Sequence, residues 1–145
     1  MRSGRGWLGL ALPVLMALGC SESTGPAAER QDALMPAARE LTLRMGEEKA
    51  VPNSVVRLAF GLVAEDSRCP IDAVCVWQGN ATVELGIRAG MGPTQPIRIN
   101  TTLEPRSFVW NGIRVSLVEL QPAPRAAEPT QADAYQVKVR LEPVS

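Results

Sequence analysis

The ten residues Phe108-Val109-Trp110-Asn111-Gly112-Ile113-Arg114-Val115-Ser116-Leu117 decide the fold class. A two-residue hairpin turn of the type that matches strand twist needs positive φ at both central positions, and Asn-Gly is the dipeptide that tolerates this best. Here it separates an apolar triplet from a run in which Ile113, Val115 and Leu117 alternate with Arg114 and Ser116. Period-two alternation sets one face against a core and leaves the other in water. The stretch reads as a β-hairpin.

The same period recurs on both sides of it. Leu41, Leu43 and Met45 alternate with Thr42 and Arg44; Val56, Leu58, Phe60 and Leu62 alternate with Arg57, Ala59, Gly61 and Val63. Val83, Leu85 and Ile87 follow, then Ile97 and Ile99, and finally Tyr135, Val137, Val139 and Leu141. Gly46, Gly79-Asn80 and residues 90–96 supply turns. Glu47-Glu48 beside Lys49 reads as a solvated turn, and the Pro- and Ala-rich residues 121–134 as a loop before the closing strand. Within residues 31–40 a helical turn is interrupted by Pro36. The expectation is an all-β domain over residues 40–145, a small antiparallel sandwich or barrel of about six to eight strands with one disulfide turn.

Composition removes several functions. The chain has 145 residues and no histidine, so a Ser/His/Asp triad or a Cys/His pair cannot be built. Zinc, copper and iron sites that rely on imidazole lose their main ligand. Lys49 and Lys138 are the two lysines, and Lys138 falls in a strand-like run, which leaves a Ser/Lys dyad little support. No phosphate-binding glycine loop is present. No catalytic motif, cofactor site or metal site is expected; Glu65, Asp66, Asp72 and Asn80 could offer oxygen to calcium but do not match an EF-hand loop.

The N-terminus carries an address. Arg2 and Arg5 precede an apolar run over residues 7–18 that ends in Ala17-Leu18-Gly19-Cys20. Twelve helical residues reach only about 18 Å, too short for a hydrocarbon core of about 30 Å. This segment resembles the signal peptide and lipobox of bacterial lipoproteins, with Ala17 where leucine is usual and Gly19-Cys20 matching. The resemblance implies cleavage before Cys20, a lipid on its sulfur, and residues 20–39 as a flexible tether. It implies a place in the cell envelope, in the outer membrane facing the periplasm if the cell is Gram-negative; Ser21 after the cysteine fits that sorting. An ordinary signal peptide and secretion is the alternative. Without residues 1–19 the chain keeps 13 basic and 15 acidic residues, which is no footprint for nucleic acid or anionic lipid. The membrane is then a partner only through the lipid anchor.

If Cys20 carries lipid, Cys69 and Cys75 remain as one pair, and an exported compartment lets them oxidise. The surrounding Asp66-Ser67-Arg68-Cys69-Pro70, then Cys75-Val76-Trp77 and Gly79, resembles a segment of small uncharacterised exported bacterial proteins. That resemblance implies a compact β domain and carries over no catalytic residue. A disulfide turn between two strands agrees with it, with Trp77 over the sulfurs or in the core. Trp77 and Trp110 both sit beside valines at strand-like positions, so core or half-buried packing is the leading reading and an aromatic ligand surface the lesser one. They also form an echo, Val76-Trp77-Gln78-Gly79 against Val109-Trp110-Asn111-Gly112, too short to establish duplication. Asn80-Ala81-Thr82 and Asn100-Thr101-Thr102 match a glycosylation acceptor, a coincidence in a bacterial lipoprotein.

Two classes of function follow. One is a non-enzymatic envelope module, binding or structural, whose partner is an envelope protein or glycan. The other is a thiol-disulfide redox protein using Cys69 and Cys75, with Arg68 as the cation that lowers a thiol pKa, or an enzyme built on carboxylates.

Overall fold

The computed structural model describes residues 37–144. The expected signal peptide over residues 1–19, Cys20 and most of the expected tether lie outside the described residues. Eight strands form: β1 (Arg39–Arg44), β2 (Glu48–Ala50), β3 (Val56–Asp66), β4 (Ala81–Ala89), β5 (Gln95–Asn100), β6 (Ser107–Trp110), β7 (Ile113–Gln121) and β8 (Gln136–Pro143). They make two antiparallel four-stranded sheets, ordered β1-β8-β7-β6 and β2-β3-β4-β5. The fold is all-β as expected, and its two sheets make it a sandwich rather than a barrel.

The core lies between the sheets. Leu43, Val115, Val139 and Leu141 enter from the first sheet and Leu58, Phe60, Val83 and Ile99 from the second, each essentially inaccessible to solvent. These are the alternating apolar positions, and burying such side chains stabilises by roughly 1.5–3 kcal/mol each. The hairpin forms at Asn111-Gly112, where φ is +46° and +76° and Trp110 pairs with Ile113.

Two expectations need correction. Residues 48–50 form a short edge strand rather than a solvated turn. A turn at Gly46 carries the chain from the first sheet to the second, where Gly46 N donates to Phe60 O and Phe60 N to Glu47 O. Glu48 then accepts from Arg57 at 2.5 Å and Arg88 at 2.7 Å. Hydrogen bonds from Arg88 first and Arg57 second hold its carboxyl down to about 2. The second correction concerns parity. Register shifts after Phe60 and after Leu117 insert residues that flip the facing of everything beyond them. Leu62, read as inward, is therefore exposed, while Val63 packs against the core. On β7 the buried residue after the bulge is Leu120, which the alternation did not place.

The strands give the sandwich two poles. At one, Arg39 pairs with Leu141 and Trp110 with Ile113, so the chain enters beside the Asn111-Gly112 hairpin. At the other, Asp66 pairs with Ala81 and Gln121 with Gln136, and the segment containing Cys69 and Cys75 crosses from β3 to β4.

Candidate functional site

Residues 67–80 join β3 to β4 as a closed, cross-linked loop. Its base is zipped by Ser67 N donating to Asn80 O at 2.7 Å and Cys69 N to Gln78 O at 3.1 Å. The disulfide between Cys69 and Cys75, with Cα atoms 5.9 Å apart, closes the tip. Gly79 is required here: its φ is +71°, and a Cβ would stand 1.9 Å from Ser67 O. The loop is moored sideways too, by Ile71 N donating to Pro124 O at 3.0 Å and Ala126 N to Asp72 Oδ1 at 2.9 Å.

Beneath the loop sits a mostly buried polar knot. Arg68 donates through Nε to Asp66 Oδ1 at 2.8 Å and through NH2 to Asp66 Oδ2 at 2.7 Å. Its remaining donors go to Leu120 O at 2.6 Å and Pro122 O at 2.9 Å. Tyr135, at the start of the last strand, donates its hydroxyl to Asp66 Oδ2 at 2.9 Å. One ion pair thus ties the end of β3 to the end of β7 and the start of β8. Burial pushes the Asp66 carboxyl up, but the hydrogen bonds from Arg68 and Tyr135 outweigh it and leave it below its ordinary value. Burial, then the bond to Asp66, raises the Tyr135 phenol. Arg68, the cation that sequence offered for tuning a thiol, is committed to this knot.

A second polar cluster fixes the neighbouring loop, residues 101–106. Asn80 Oδ1 accepts from Thr102 N at 3.1 Å and Leu103 N at 3.2 Å, while Asn80 Nδ2 donates to Asn100 Oδ1 at 3.1 Å. Both asparagines of the acceptor-like triplets are therefore joined side chain to side chain. Of the calcium candidates, Asp66 serves the knot, Asp72 caps Ala126 and Asn80 holds this loop, so the structure does not bring them together. Among the described residues no three His, Cys, Asp or Glu side chains cluster as metal ligands.

Between these loops lies a groove of about 350 Å³. Cys69 and Gln78 form one wall, Thr101, Thr102 and Arg106 the other, and Leu117, Val118, Glu119 and Leu120 the floor. Glu119 is the one carboxylate among its lining residues.

The disulfide loop overturns the core reading of Trp77. Trp77 is 81% exposed, and Ile71, Val74 and Val76 are 61%, 104% and 90% exposed. The zipped base and the disulfide hold these side chains out in solvent, away from the core. Trp110 is half-buried and packs against the core, as the alternation implied. Scattered apolar side chains on a surface are ordinary, but a contiguous apolar patch marks an interaction site. Sequence reasoning missed the knot and the groove. Asp66 and Tyr135 are 69 positions apart, and no periodicity connects them.

Comparison with family models, curated proteins and solved structures gave no match.

Proposed function

We propose that the protein is a lipid-anchored envelope module without enzymatic activity, and that the disulfide loop is its contact surface for an envelope partner. The observation that carries this reading is the concentration of Ile71, Val74, Val76 and Trp77, all exposed, on one covalently closed loop. Rigid presentation limits the side-chain entropy lost on docking, and tryptophan is among the commonest interface anchors. The chain enters the domain at Arg39, on the pole away from the loop. A lipid on Cys20 would therefore leave the loop facing away from the anchor. The lipobox-like residues 17–20 support the address.

Two measurements test the reading. Metabolic labelling with a fatty-acid probe should mark the wild-type chain and not Cys20→Ser; equal label in both sinks the anchor. A photo-crosslinking residue at Val74 should form a discrete adduct in the native envelope, while one at Val55, exposed beyond the opposite end of β3, should not. No adduct at Val74 removes the contact surface.

A further inference from the structure

We infer that the groove beside the disulfide loop is a strand-addition site for an extended polypeptide. This rests on the reading of the domain as a binding module and names what it binds and where. β7 runs nine residues, from Ile113 to Gln121, but β6 has four. Their pairing ends at Ser107 with Ser116, and Leu117 N still donates to Arg106 O at 3.3 Å. Beyond that point β7 stays paired with β8 as far as Gln121. Among the described residues no strand continues β6 along its other edge.

The groove lies on that edge. Its floor is four consecutive residues, Leu117 to Leu120. Side chains of consecutive strand residues point to opposite faces, so only a cavity facing the edge meets all of them. Arg68 shows what the edge asks for. Its guanidinium donates to Leu120 O at 2.6 Å, the ladder role a neighbouring strand's N–H would fill. Between Arg106 and Arg68 there is room for about three residues of extended chain, roughly 10 Å. Main-chain hydrogen bonds would hold such a chain, as in other strand-addition complexes. Val118, 48% exposed at the rim, and Leu103, 60% exposed on the wall loop, favour apolar side chains. A sugar is a poorer fit, because no aromatic side chain lines the groove.

The test pans a phage-displayed library of random linear decapeptides against the detergent-solubilised full chain, with the disulfide intact. Enriched peptides are synthesised and titrated by fluorescence anisotropy. Val118→Lys should weaken binding at least tenfold, and Met91→Lys at the opposite pole should change it less than twofold. An analogue of the same peptide, N-methylated at alternate residues, should lose at least tenfold against the wild-type chain. That arm needs no protein variant, so it holds even if Val118→Lys misfolds. Three results overturn the inference: no enriched peptide, equal binding of the N-methylated analogue, or a concentration-dependent dimer that Val118→Lys abolishes, which would give the groove to a second copy. Each leaves the fatty-acid label and the Val74 adduct to stand or fall separately.

Discussion

Val76-Trp77-Gln78-Gly79 and Val109-Trp110-Asn111-Gly112 are nearly the same four residues, and the molecule treats them in opposite ways. Both end in a glycine at positive φ, +71° at Gly79 and +76° at Gly112. Trp110 is in a strand that pairs with Ile113 and lies half-buried on the core. Trp77 follows a disulfide, lies outside any strand, and is 81% exposed. The difference teaches that burial of a local motif is set by what the adjoining chain pairs with. At Gly112 the glycine reverses a strand onto its neighbour. At Gly79 it lets the returning chain touch Ser67 closely enough to zip the loop shut and hold the tryptophan outward.

The contrast breaks most severely at the knot under the loop, for which the Asn111-Gly112 pole has no counterpart. Asp66→Ala strands the Arg68 guanidinium and the Tyr135 hydroxyl in a mostly buried place. It should cost on the order of 3 kcal/mol in chemical denaturation, against a change within about 0.5 kcal/mol for Glu104→Ala on an exposed loop. A loss under 1 kcal/mol for Asp66→Ala would show that the knot is dispensable.

Next in size is the covalent closure. Replacing Cys69 and Cys75 together should lower stability by roughly 2 kcal/mol in the chain-entropy model. Redox titration with alkylation and mass spectrometry sharpens this. A potential below about −300 mV fits a structural staple; one between about −120 and −270 mV, with rapid exchange against a substrate thiol, would move the protein into the redox class.

The tryptophans themselves come third. Trp110→Ala should cost about 1.5 kcal/mol, roughly half the lower range for a fully buried aromatic. Trp77→Ala should stay within about 0.5 kcal/mol and yet remove the Val74 adduct. Equal stability losses at the two sites would erase the comparison.

The smallest effect is one of pH. Asp66 titrates below its unfolded value near 3.9. Its contribution is thus present above about pH 4 and lost as pH falls through the folded value. Tyr135 titrates above its unfolded value near 10, so its contribution is present below that and lost as pH rises through the folded value. Asp66→Asn should flatten the acid limb of a stability–pH curve; an unchanged limb would assign acid sensitivity to other carboxylates.

The fold was legible wherever alternation ran unbroken. Tyr135, Val137, Val139 and Leu141 are buried in the order the period demands. Legibility failed where one extra residue entered a strand, as after Phe60 and Leu117, because a bulge has no mark in composition. It failed at Glu48-Lys49-Ala50, where three residues offer too little pattern and the ion pairs of Glu48 are made with residues 9 and 40 positions away. The cysteine pairing was legible from arithmetic. The exposure of Trp77 was not, since it depends on the close approach at Gly79 and on mooring to Pro124 and Ala126.

The separation of the poles also fixes how the domain bears load. A chain anchored through its N-terminus and gripped by the disulfide loop is stretched from pole to pole, drawing β1 lengthwise past β8. Six register pairs, from Arg39 with Leu141 to Arg44 with Gln136, join these strands. Antiparallel hydrogen bonds lie across the strands, so tension in this direction shears them all together. Pulled apart at Arg44 and Gln136 instead, the same ladder would open one rung at a time.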